Sequence, residues 1–425
     1  IKPRQTYKGS MDKQKNLPII VGVGQVVNHW DGTDQSQAPS PIGLITDSIS
    51  KAQADAGIDP LHHEIDRLVV VRAFTDSLRT PFDPFGKATN LPAAIADAAS
   101  IRASEIIYSS AGGEQPQYLV NELSNAISRG YIRMAIIAGG EAHAAVKIAL
   151  KKRLQLDWTS AISAEIEDRG PQIDFISGYE IANGMGLPPQ TYAAMEEALR
   201  ARLGLSQAEY LDYIADICAG LSATAEQNPY AQFSRAMTKE FLAQPSSKNY
   251  PICDPYLKWH VAQDAVNQAS SLILTSVGQA QVLGIPEEKW VYLHGYSNVQ
   301  DRLVSQRPDL SKSLALELAL TSAIDRAGIS AADIAYRDIY SCFPMVVHLA
   351  AEVLGLNPGK DEMTVTGGLP FFGGSGNNYS THAIASMVDK LRQDPEAYGL
   401  ILANGGYVSK QSAGIYSARA LSTWT

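Results

Sequence analysis

The stretch Thr366–Leu391, TGGLPFFGGSGNNYSTHAIASMVDKL, joins a glycine-rich turn directly to a helical pattern. Five glycines fall between Gly367 and Gly376, and a backbone this rich in glycine lets a ligand or another strand come close. Asn377 and Asn378 are expected to cap an amphipathic helix with one buried face and one face in water. Free N–H groups at such a helix start favour an anion or a developing oxyanion, whereas the alternative is a tight turn that only packs the helix against a sheet.

The same pattern occurs once in the first half of the chain. Ser109–Gly130 also passes from a glycine turn into a helix, and it is followed by the apolar strand Met134–Ala138 and a Gly-Gly pair. In the second half the helix is followed by the strand Leu400–Ala403 and another Gly-Gly pair. This repetition predicts a duplicated α/β unit.

Near-continuous runs of Val, Ile and Leu alternate with helical patterns along the chain, which is typical of an α/β layered fold. Leu17–Val27 is expected to be a buried strand that enters a loop at Gly22 and Gly24. Ala265–Ser276 is interpreted as a helix followed by a strand, and Asp338–Phe343 as a strand.

Between the two halves the composition shifts toward Glu, Arg, Gln and Ala, which predicts a mostly helical excursion. Such an excursion often supplies a ligand wall in layered enzymes, and the alternative is a lid or docking surface without ligand contacts. The predicted domains are an N-terminal half of residues 11–144 with 251–285, a helical loop domain of residues 145–250, and a C-terminal half of residues 286–425. Ile1–Ser10 precedes Met11 and is interpreted as a vector-derived tail.

The chain of 425 residues can bury a large core, and its 19% charged residues are typical of a globular protein. A net charge of −9 argues against a nucleic-acid groove or an anionic membrane surface. No apolar run reaches the ~18 residues of a membrane span, and the first residues lack a signal-peptide core, so we expect a cytoplasmic protein. Cys218, Cys253 and Cys342 lie far apart, which argues against disulfides and against a metal site.

Four landmarks stand in a fixed order along the chain: the first glycine turn, DIYSCFP at Asp338–Pro344, GGLPFFGGSG, and LILANGG followed by SAGIYS. In this order they resemble the thiolase superfamily, most closely the branch of thiolase-like protein type 1, which is also labelled acetyl-CoA acetyltransferase. The resemblance covers Leu17–Ser417. It implies a layered αβαβα core made of two similar α/β halves, a helical loop domain, and coenzyme A or acyl-CoA bound against that loop domain.

The resemblance fails at the groups that perform thiolase chemistry. The position of the nucleophilic cysteine falls on Gly113, and the asparagine that holds an oxyanion-hole water is replaced by Tyr340. The activating histidine falls on Gly374, and the second, acid/base cysteine falls on Ala403. Glycine and alanine can neither hold an acyl group nor move a proton, so we expect no ping-pong thiolase reaction.

Several reactive or polar side chains remain near the cleft that the resemblance implies. The candidate catalytic residues are Tyr340, Cys342, Asn404 and His382, and Tyr379 and His294 stand at nearby landmarks. Tyr340 is the candidate for proton transfer, because thiolase-like retro-aldolases use tyrosines in this way, and Asn404 can only polarise a carbonyl. The alternatives are a half-buried tyrosine, an inert cysteine, and packed histidines at 382 and 348, while His62 and His63 lie in a polar loop.

The glycine turns are the predicted ligand-binding elements. We expect the pantetheine end of coenzyme A or acyl-CoA to reach toward Gly112, Gly113, Gly373 and Gly374. Three functions stay open at this point: an enzyme that uses enolate or retro-aldol chemistry on a CoA thioester, a non-catalytic acyl-CoA carrier, and an interaction subunit completed by a small acyl-CoA-binding partner. The resemblance also implies a homodimer or a monomer, and a further small C-terminal domain.

Overall fold

The computed structural model describes residues 14–58, 65–78, 80, 82–172 and 175–424. His62, His63 and the proposed tail Ile1–Ser10 lie outside the described residues. Across those described ranges, no helix combines the length and the apolar character that a membrane span requires.

Twelve strands are found in the described part of the chain, and ten of them form one sheet. Their bounds are β1 Pro18–Val27, β2 Ile65–Val70, β3 Ala103–Tyr108, β4 Met134–Ala142, β5 Glu167–Asp168, β6 Pro251–Cys253, β7 Tyr256–Leu257, β8 Asn267–Ser276, β9 Val291–Gln300, β10 Ile334–Ile339, β11 Tyr398–Gly405 and β12 Lys410–Ser417.

The sheet contains the same strand pattern twice. Its order is β10-β11-β12-β9-β1-β8-β4-β2-β3-β5. In the first half, β8 lies antiparallel between β1 and β4, and β2 continues parallel to β4. In the second half, β12 lies antiparallel between β9 and β11, and β10 continues parallel to β11. The two patterns meet where β1 pairs with β9, so the predicted duplication of α/β halves is confirmed.

Helices cover the sheet and fill the excursion between the halves. Their bounds are α1 Pro41–Ala56, α2 Leu91–Ala98, α3 Gln115–Ser128, α4 His143–Lys152, α5 Gly178–Ala182, α6 Pro188–Leu203, α7 Gln207–Gln227, α8 Lys239–Ala243, α9 Val277–Val282, α10 Leu314–Ala327, α11 Pro344–Leu354, α12 Gly368–Phe371 and α13 Tyr379–Gln393. Helices α3 and α13 contact each other and strands of both halves, so they form the central layer. Helix α1 covers β1, and α10 covers β9 from outside.

Glycines in the two equivalent strands β1 and β9 let the outer helices come close. A Cβ at Gly24 would collide with the Ser48 carbonyl oxygen of α1, and a Cβ at Gly295 would collide with the Ala323 carbonyl oxygen of α10. Gly24 therefore lies inside β1 and does not start a loop, which corrects the sequence interpretation of Gly22 and Gly24. The expected helix at the start of Ala265–Ser276 is also wrong, because β8 begins at Asn267 and all ten of its residues are buried.

Helix α13 is buried on every side over its first ten residues, Tyr379–Val388, so the predicted water-facing side is wrong there. The helix lies between the two halves of the sheet, and its polar side chains bond to other protein groups. Ser380 donates to the Gly113 carbonyl oxygen at 3.1 Å. Gln25 on β1 faces α13 and donates to Ser386 at 3.2 Å. The helix first becomes exposed at Asp389 and Lys390.

The helical excursion is anchored to the second half through a buried carboxylate. Glu196 on α6 accepts hydrogen bonds from the hydroxyls of Tyr210 at 2.5 Å and Tyr256 at 2.6 Å. It also accepts one from the Met345 backbone N–H in the first turn of α11 at 3.2 Å. Burial raises the pKa of Glu196 to about 7, although these three bonds act in the opposite direction. The contact fixes α6 above the strand ends of the second half.

Candidate functional site

Two of the sequence-predicted candidates, Tyr340 and Asn404, meet Gly113 at the start of the central helix α3, and a third, Cys342, contacts Asn404. A Cβ at Gly113 would collide with the Tyr340 hydroxyl and crowd the Asn404 carbonyl oxygen. The Cys342 thiol lies within hydrogen-bond reach of the Asn404 amide at 3.5 Å. We call Tyr340, Cys342, Asn404 and Tyr192 the Tyr340 cluster. The phenol of Tyr340 thus fills the space that a side chain at position 113 would need.

Tyr340 is held by its backbone and its ring, and its hydroxyl is left without a hydrogen bond. The Tyr340 N–H donates to the Leu402 carbonyl oxygen at 3.0 Å, which continues the β10–β11 pairing past the end of β10. The ring packs edge-on against Tyr379 with 5.4 Å between centroids. Among the described residues no group hydrogen bonds to the hydroxyl. Burial raises the pKa of Tyr340 well above its usual value, and the nearby Cys342 and Glu114 add to this, so the phenol stays protonated at neutral pH.

Cys342 lies in a closed hydrogen-bond group that keeps it a thiol. It donates to the Tyr192 hydroxyl at 3.6 Å, and the Asn404 amide donates to the same hydroxyl at 3.0 Å. Gln411 fixes the amide by donating to its oxygen at 2.6 Å. Burial raises the pKa of Cys342 to about 12, so the reactive thiolate is disfavoured. A buried, hydrogen-bonded thiol is poorly suited to act as a nucleophile, and a catalytic role of Cys342 stays a prediction.

Tyr192 is the member of the cluster that sequence reasoning missed. It comes from α6 in the helical excursion, about 150 residues before its partner Cys342 along the chain. Its ring stacks on Phe343 with 4.0 Å between centroids and meets Tyr407 edge-on at 6.0 Å. The only sequence signal is the segment PPQTYAAMEEALR itself, which supports the family resemblance and does not show where α6 lies.

The glycine-rich turn of the second half is packed by other segments of the chain. A Cβ at Gly373 would meet the Val266 side chain at 2.7 Å, and the Gly374 N–H donates to the Gln263 carbonyl oxygen at 2.8 Å. The Gln232 N–H donates to the Phe372 carbonyl oxygen at 2.7 Å, which brings the helical excursion onto the turn. The role of Gly373 and Gly374 in ligand binding stays a prediction.

Asn377 and Asn378 connect the two glycine turns and do not cap α13 with their side chains, contrary to the sequence expectation. Asn377 accepts a hydrogen bond from the Gly112 N–H at 3.0 Å and donates to the Arg72 carbonyl oxygen at 2.8 Å. Asn378 donates to the Gly139 carbonyl oxygen at 2.7 Å. Both amides thus satisfy backbone groups of the first half, which explains their position at the centre of the molecule.

A buried carboxylate organises the segment before the second turn. Asp338 is 1% exposed and accepts five hydrogen bonds. The donors are the Thr364 hydroxyl at 2.7 Å, the Thr366 hydroxyl at 2.8 Å, the Tyr379 hydroxyl at 2.9 Å, and the backbone N–H groups of Thr366 at 3.0 Å and Val365 at 3.1 Å. Burial raises the pKa of Asp338, and these donors act against that rise.

The candidate histidines are packed elsewhere. His382 is fully buried and pairs with the Gln25 amide oxygen at 2.9 Å, and burial lowers its pKa to about 3, so it is neutral at physiological pH. His294 contacts the Arg419 carbonyl oxygen at 2.9 Å, and His348 pairs with a tyrosine hydroxyl of α7. Burial lowers the pKa of both. Their hydrogen-bond partners lie outside the Tyr340 cluster.

Two α/β halves of equal strand pattern, a central pair of helices that begin at glycine turns, and a helical insertion over the strand ends define a thiolase-like fold. A monomeric SCP2-thiolase-like protein type 1 from Mycobacterium smegmatis matches with a TM-score of 0.81 and 33% identity, over 97% of this chain and 79% of that chain. The chain therefore belongs to the thiolase-like superfamily.

Two further solved structures share the fold at lower identity. The Ltp2-ChsH2(DUF35) aldolase matches with a TM-score of 0.69 and 16% identity, over 96% of this chain and 99% of that chain. An acetyl-CoA acetyltransferase from Syntrophomonas wolfei matches with a TM-score of 0.66 and 13% identity, over 94% of this chain and 99% of that chain. No protein-family model and no curated protein matches the chain.

The close packing of the Tyr340 hydroxyl against Gly113 predicts how substitutions at these two positions change the stability of the protein. Gly113→Cys should lower the free energy of unfolding by about 1–3 kcal/mol, because its Cβ and sulfur overlap the Tyr340 hydroxyl. Tyr340→Asn, which removes the phenol, should recover part of that loss in the double variant, with a coupling of about 1 kcal/mol or more. Urea denaturation of the wild type, the two single variants and the double variant measures the coupling between the two substitutions. Gly220→Cys is the control, because a Cβ there meets nothing within 4 Å. Strict additivity of the two changes would contradict the proposed overlap.

Proposed function

We propose that this protein binds coenzyme A or acyl-CoA and that any chemistry on the bound thioester centres on Tyr340, by a route other than the thiolase ping-pong reaction. The observation that carries the proposal lies at the start of α3, where the Tyr340 hydroxyl occupies the space that a side chain at position 113 would need. The site thus keeps a polar group at the point where the superfamily resemblance places its nucleophile. Membership in the thiolase-like superfamily supports a CoA thioester as the ligand.

The side chains of the Tyr340 cluster favour stabilisation of an oxyanion over nucleophilic attack. The Tyr340 phenol is a protonated donor, whereas the Asn404 amide and the Cys342 thiol already donate within the cluster. A donor such as the Tyr340 hydroxyl lowers the energy of a thioester enolate, which forms in C–C bond cleavage and in condensation. An acetyl-CoA acetyltransferase-like function therefore requires a reaction without an acyl-cysteine.

A second candidate is a retro-aldolase-type C–C lyase acting on a CoA thioester. It is favoured by the unbonded hydroxyl of Tyr340, which is free to bond to a substrate oxygen. The likeness to the Ltp2-ChsH2(DUF35) aldolase supports a shared fold alone. If no reaction is found, the same site supports a non-catalytic acyl-CoA carrier or an interaction subunit.

Calorimetric titration tests the ligand class. We expect coenzyme A and acetyl-CoA to bind with measurable heat and to raise the melting temperature, because ligands that bind the folded state stabilise it. Titrations with pantetheine and with ADP alone show which end of the ligand supplies the affinity. Absence of heat and of a thermal shift at millimolar coenzyme A would remove the proposal.

A thiolysis assay with acetoacetyl-CoA tests the missing nucleophile. We expect activity several powers of ten below that of a thiolase, because loss of an activated nucleophile has effects of that size. Cys342→Ser should leave any residual rate unchanged, since the thiol is protonated and bonded to Tyr192. Robust turnover, or an acyl group trapped on Cys342, would show that the nucleophile was placed wrongly.

One edge of the ten-stranded sheet is partly covered by the same chain, which leaves both a monomer and a homodimer open. The last residues of β3 pair with β5, so part of this edge is covered by the same chain. Arg169, just after β5, donates two hydrogen bonds to the Glu122 carboxylate of α3 at 2.7 and 2.8 Å. This ion pair holds β5 in place beside β3. A small acyl-CoA-binding partner stays compatible with this arrangement, and light scattering with and without ligand measures the oligomeric state.

A further inference from the structure

An apolar cavity of about 280 Å³ opens at the carboxyl ends of strands β2 and β4 in the first half of the molecule. Ligands of α/β proteins often bind at such strand ends. The start of α1, the loop after β2, helix α4 and the segment that follows α4 supply its walls. Apolar side chains in these walls are Ile42, Phe74, Phe85, Val146, Leu150 and Trp158. The four residues of the Tyr340 cluster do not line this cavity, so it is a separate place on the molecule.

Contacts within the protein hold the walls in place. The Trp158 ring meets the Phe85 ring edge-on with 5.8 Å between centroids, and the Trp158 N–H donates to the Phe85 carbonyl oxygen at 2.8 Å. The Phe74 ring meets the His143 ring edge-on with 6.2 Å between centroids. The cavity is therefore formed without a ligand. Its volume lies near the lower end of the range of small-molecule sites, which is about 300–1,000 Å³.

A polar pair, Glu141 and His143, interrupts the apolar lining. Glu141 is 4% exposed, and one of its carboxylate oxygens accepts a hydrogen bond from the Phe74 N–H at 2.7 Å. Its other oxygen lies 3.2 Å from the Nε2 atom of His143. The Nδ1 atom of the same ring is buried and has no hydrogen-bond partner among the described residues. Such an atom is costly unless a water or a ligand satisfies it. The pair therefore offers an open hydrogen-bonding position to a ligand in the cavity.

The other charged side chains of the cavity are paired. Lys87 lies 2.6 Å from a carboxylate oxygen of Asp76 and 3.4 Å from one of Asp83. Lys147 donates to the Asp264 carboxylate at 2.6 Å. A ligand with an ammonium or a carboxylate group would bring a charge into apolar surroundings, or it would have to break one of these pairs. The cavity therefore favours an uncharged ligand.

A hydroxyl group matches the open position at His143 in both charge states of the ring. Burial lowers the pKa of His143, but the carboxylates of Glu141 and Asp264 act against burial, and the net change is upward. The charged ring donates a hydrogen bond from Nδ1, whereas the neutral ring with its proton toward Glu141 accepts one there. A hydroxyl accepts in the first case and donates in the second.

We propose that this cavity binds a small, uncharged alcohol, whose apolar part packs against Phe74, Phe85 and Trp158 and whose hydroxyl bonds to the Nδ1 atom of His143. The site is additional to the coenzyme A site of the proposed function and does not depend on it. Alcohols with one aromatic ring are suitable probes, because aromatic rings pack well against the aromatic walls.

Calorimetric titration with four small aromatic compounds tests the inference. 2-Phenylethanol should bind, and the charged 2-phenylethylamine and phenylacetate should bind at least about tenfold more weakly, because burying their charges is costly. Propylbenzene carries a methyl group in place of the hydroxyl. The affinity for 2-phenylethanol relative to propylbenzene should be about tenfold higher in the wild type than in His143→Leu, since leucine leaves the buried hydroxyl without a partner.

Two tryptophan variants of α4 locate the binding. Val146→Trp adds bulk to the wall of the cavity and should abolish binding of 2-phenylethanol. Lys151→Trp, at an exposed position of the same helix outside the lining, should keep the wild-type affinity. Circular dichroism shows whether each variant is folded, and Val146→Trp tests the location independently of His143.

Three results would overturn the inference: phenylacetate that binds as tightly as 2-phenylethanol, an unchanged relative affinity in His143→Leu, and wild-type affinity in Val146→Trp. Absence of 2-phenylethanol binding to the wild type at millimolar concentration would overturn it as well. The titration is repeated with saturating coenzyme A. Unchanged affinity supports two separate sites, and competition would overturn the inference because the cavity would then belong to the coenzyme A site. A wild type that does not bind coenzyme A removes the proposed function and leaves this inference standing.

Discussion

Tyr340→Phe is expected to lower any C–C cleaving activity by about 10²–10⁴-fold while leaving coenzyme A affinity nearly unchanged. The substitution removes one hydroxyl from the place where a side chain at position 113 would lie, and the ring stays packed against Tyr379. The hydroxyl forms no hydrogen bond to the described residues, so its loss breaks no structural contact. The change therefore acts on bound substrate and not on the fold. A screen of acyl-CoA and β-hydroxyacyl-CoA substrates measures the rates.

Tyr416→Phe is the matched control for this prediction. Tyr416 is fully buried in β12 and donates to the Gln117 amide oxygen at 2.8 Å, outside the Tyr340 cluster. Its loss should lower the free energy of unfolding by about 1 kcal/mol and leave the rate per folded molecule unchanged. Equal rates in wild type and Tyr340→Phe would remove Tyr340 from the reaction. Absence of any rate in all three proteins would favour the carrier function.

The sequence was sufficient for the parts of the fold that depend on order and periodicity. The repeated module of glycine turn, helix and strand predicted the duplication, and the two β patterns confirm it. The landmark residues Gly113, Tyr340, Cys342 and Asn404 were expected near one another, and their contacts place them together. Tyr340 and Cys342 follow β10, Asn404 lies at the end of β11, and Gly113 precedes the central helix α3. Elements of that kind have few ways to pack, so their ends lie close together.

What the sequence could not show depends on packing across long separations. One face of α13 was expected to lie in water, yet both halves of the sheet enclose the helix and supply partners for its polar side chains Ser380 and His382. Tyr192 could not be assigned to the site, because α6 is placed by the buried bonds of Glu196.

Asp338→Ala is expected to lower the free energy of unfolding by about 3–5 kcal/mol, which is the largest stability effect that we predict. The substitution leaves five donors around a fully buried cavity, among them the hydroxyls of Thr366 and Tyr379. Buried donors without acceptors carry their whole desolvation cost. Asp338→Asn keeps an acceptor oxygen of the same shape, so its effect should be clearly smaller. Urea denaturation measures both changes, with the same dependence of the free energy of unfolding on urea concentration used for each variant.

Asp325→Ala on the exposed side of α10 is the control, and it should change the free energy of unfolding by no more than about 0.5 kcal/mol. The Asp338 bonds also reach the candidate site. Tyr379 is held by Asp338 and packs edge-on against Tyr340, while Thr366 begins the glycine-rich turn. Loss of the carboxylate should therefore loosen Tyr340 and the turn together, so Asp338→Asn should weaken coenzyme A binding more than its stability loss explains. If Asp338→Ala unfolds no more easily than Asp325→Ala, the network around Asp338 does not hold the turn in place.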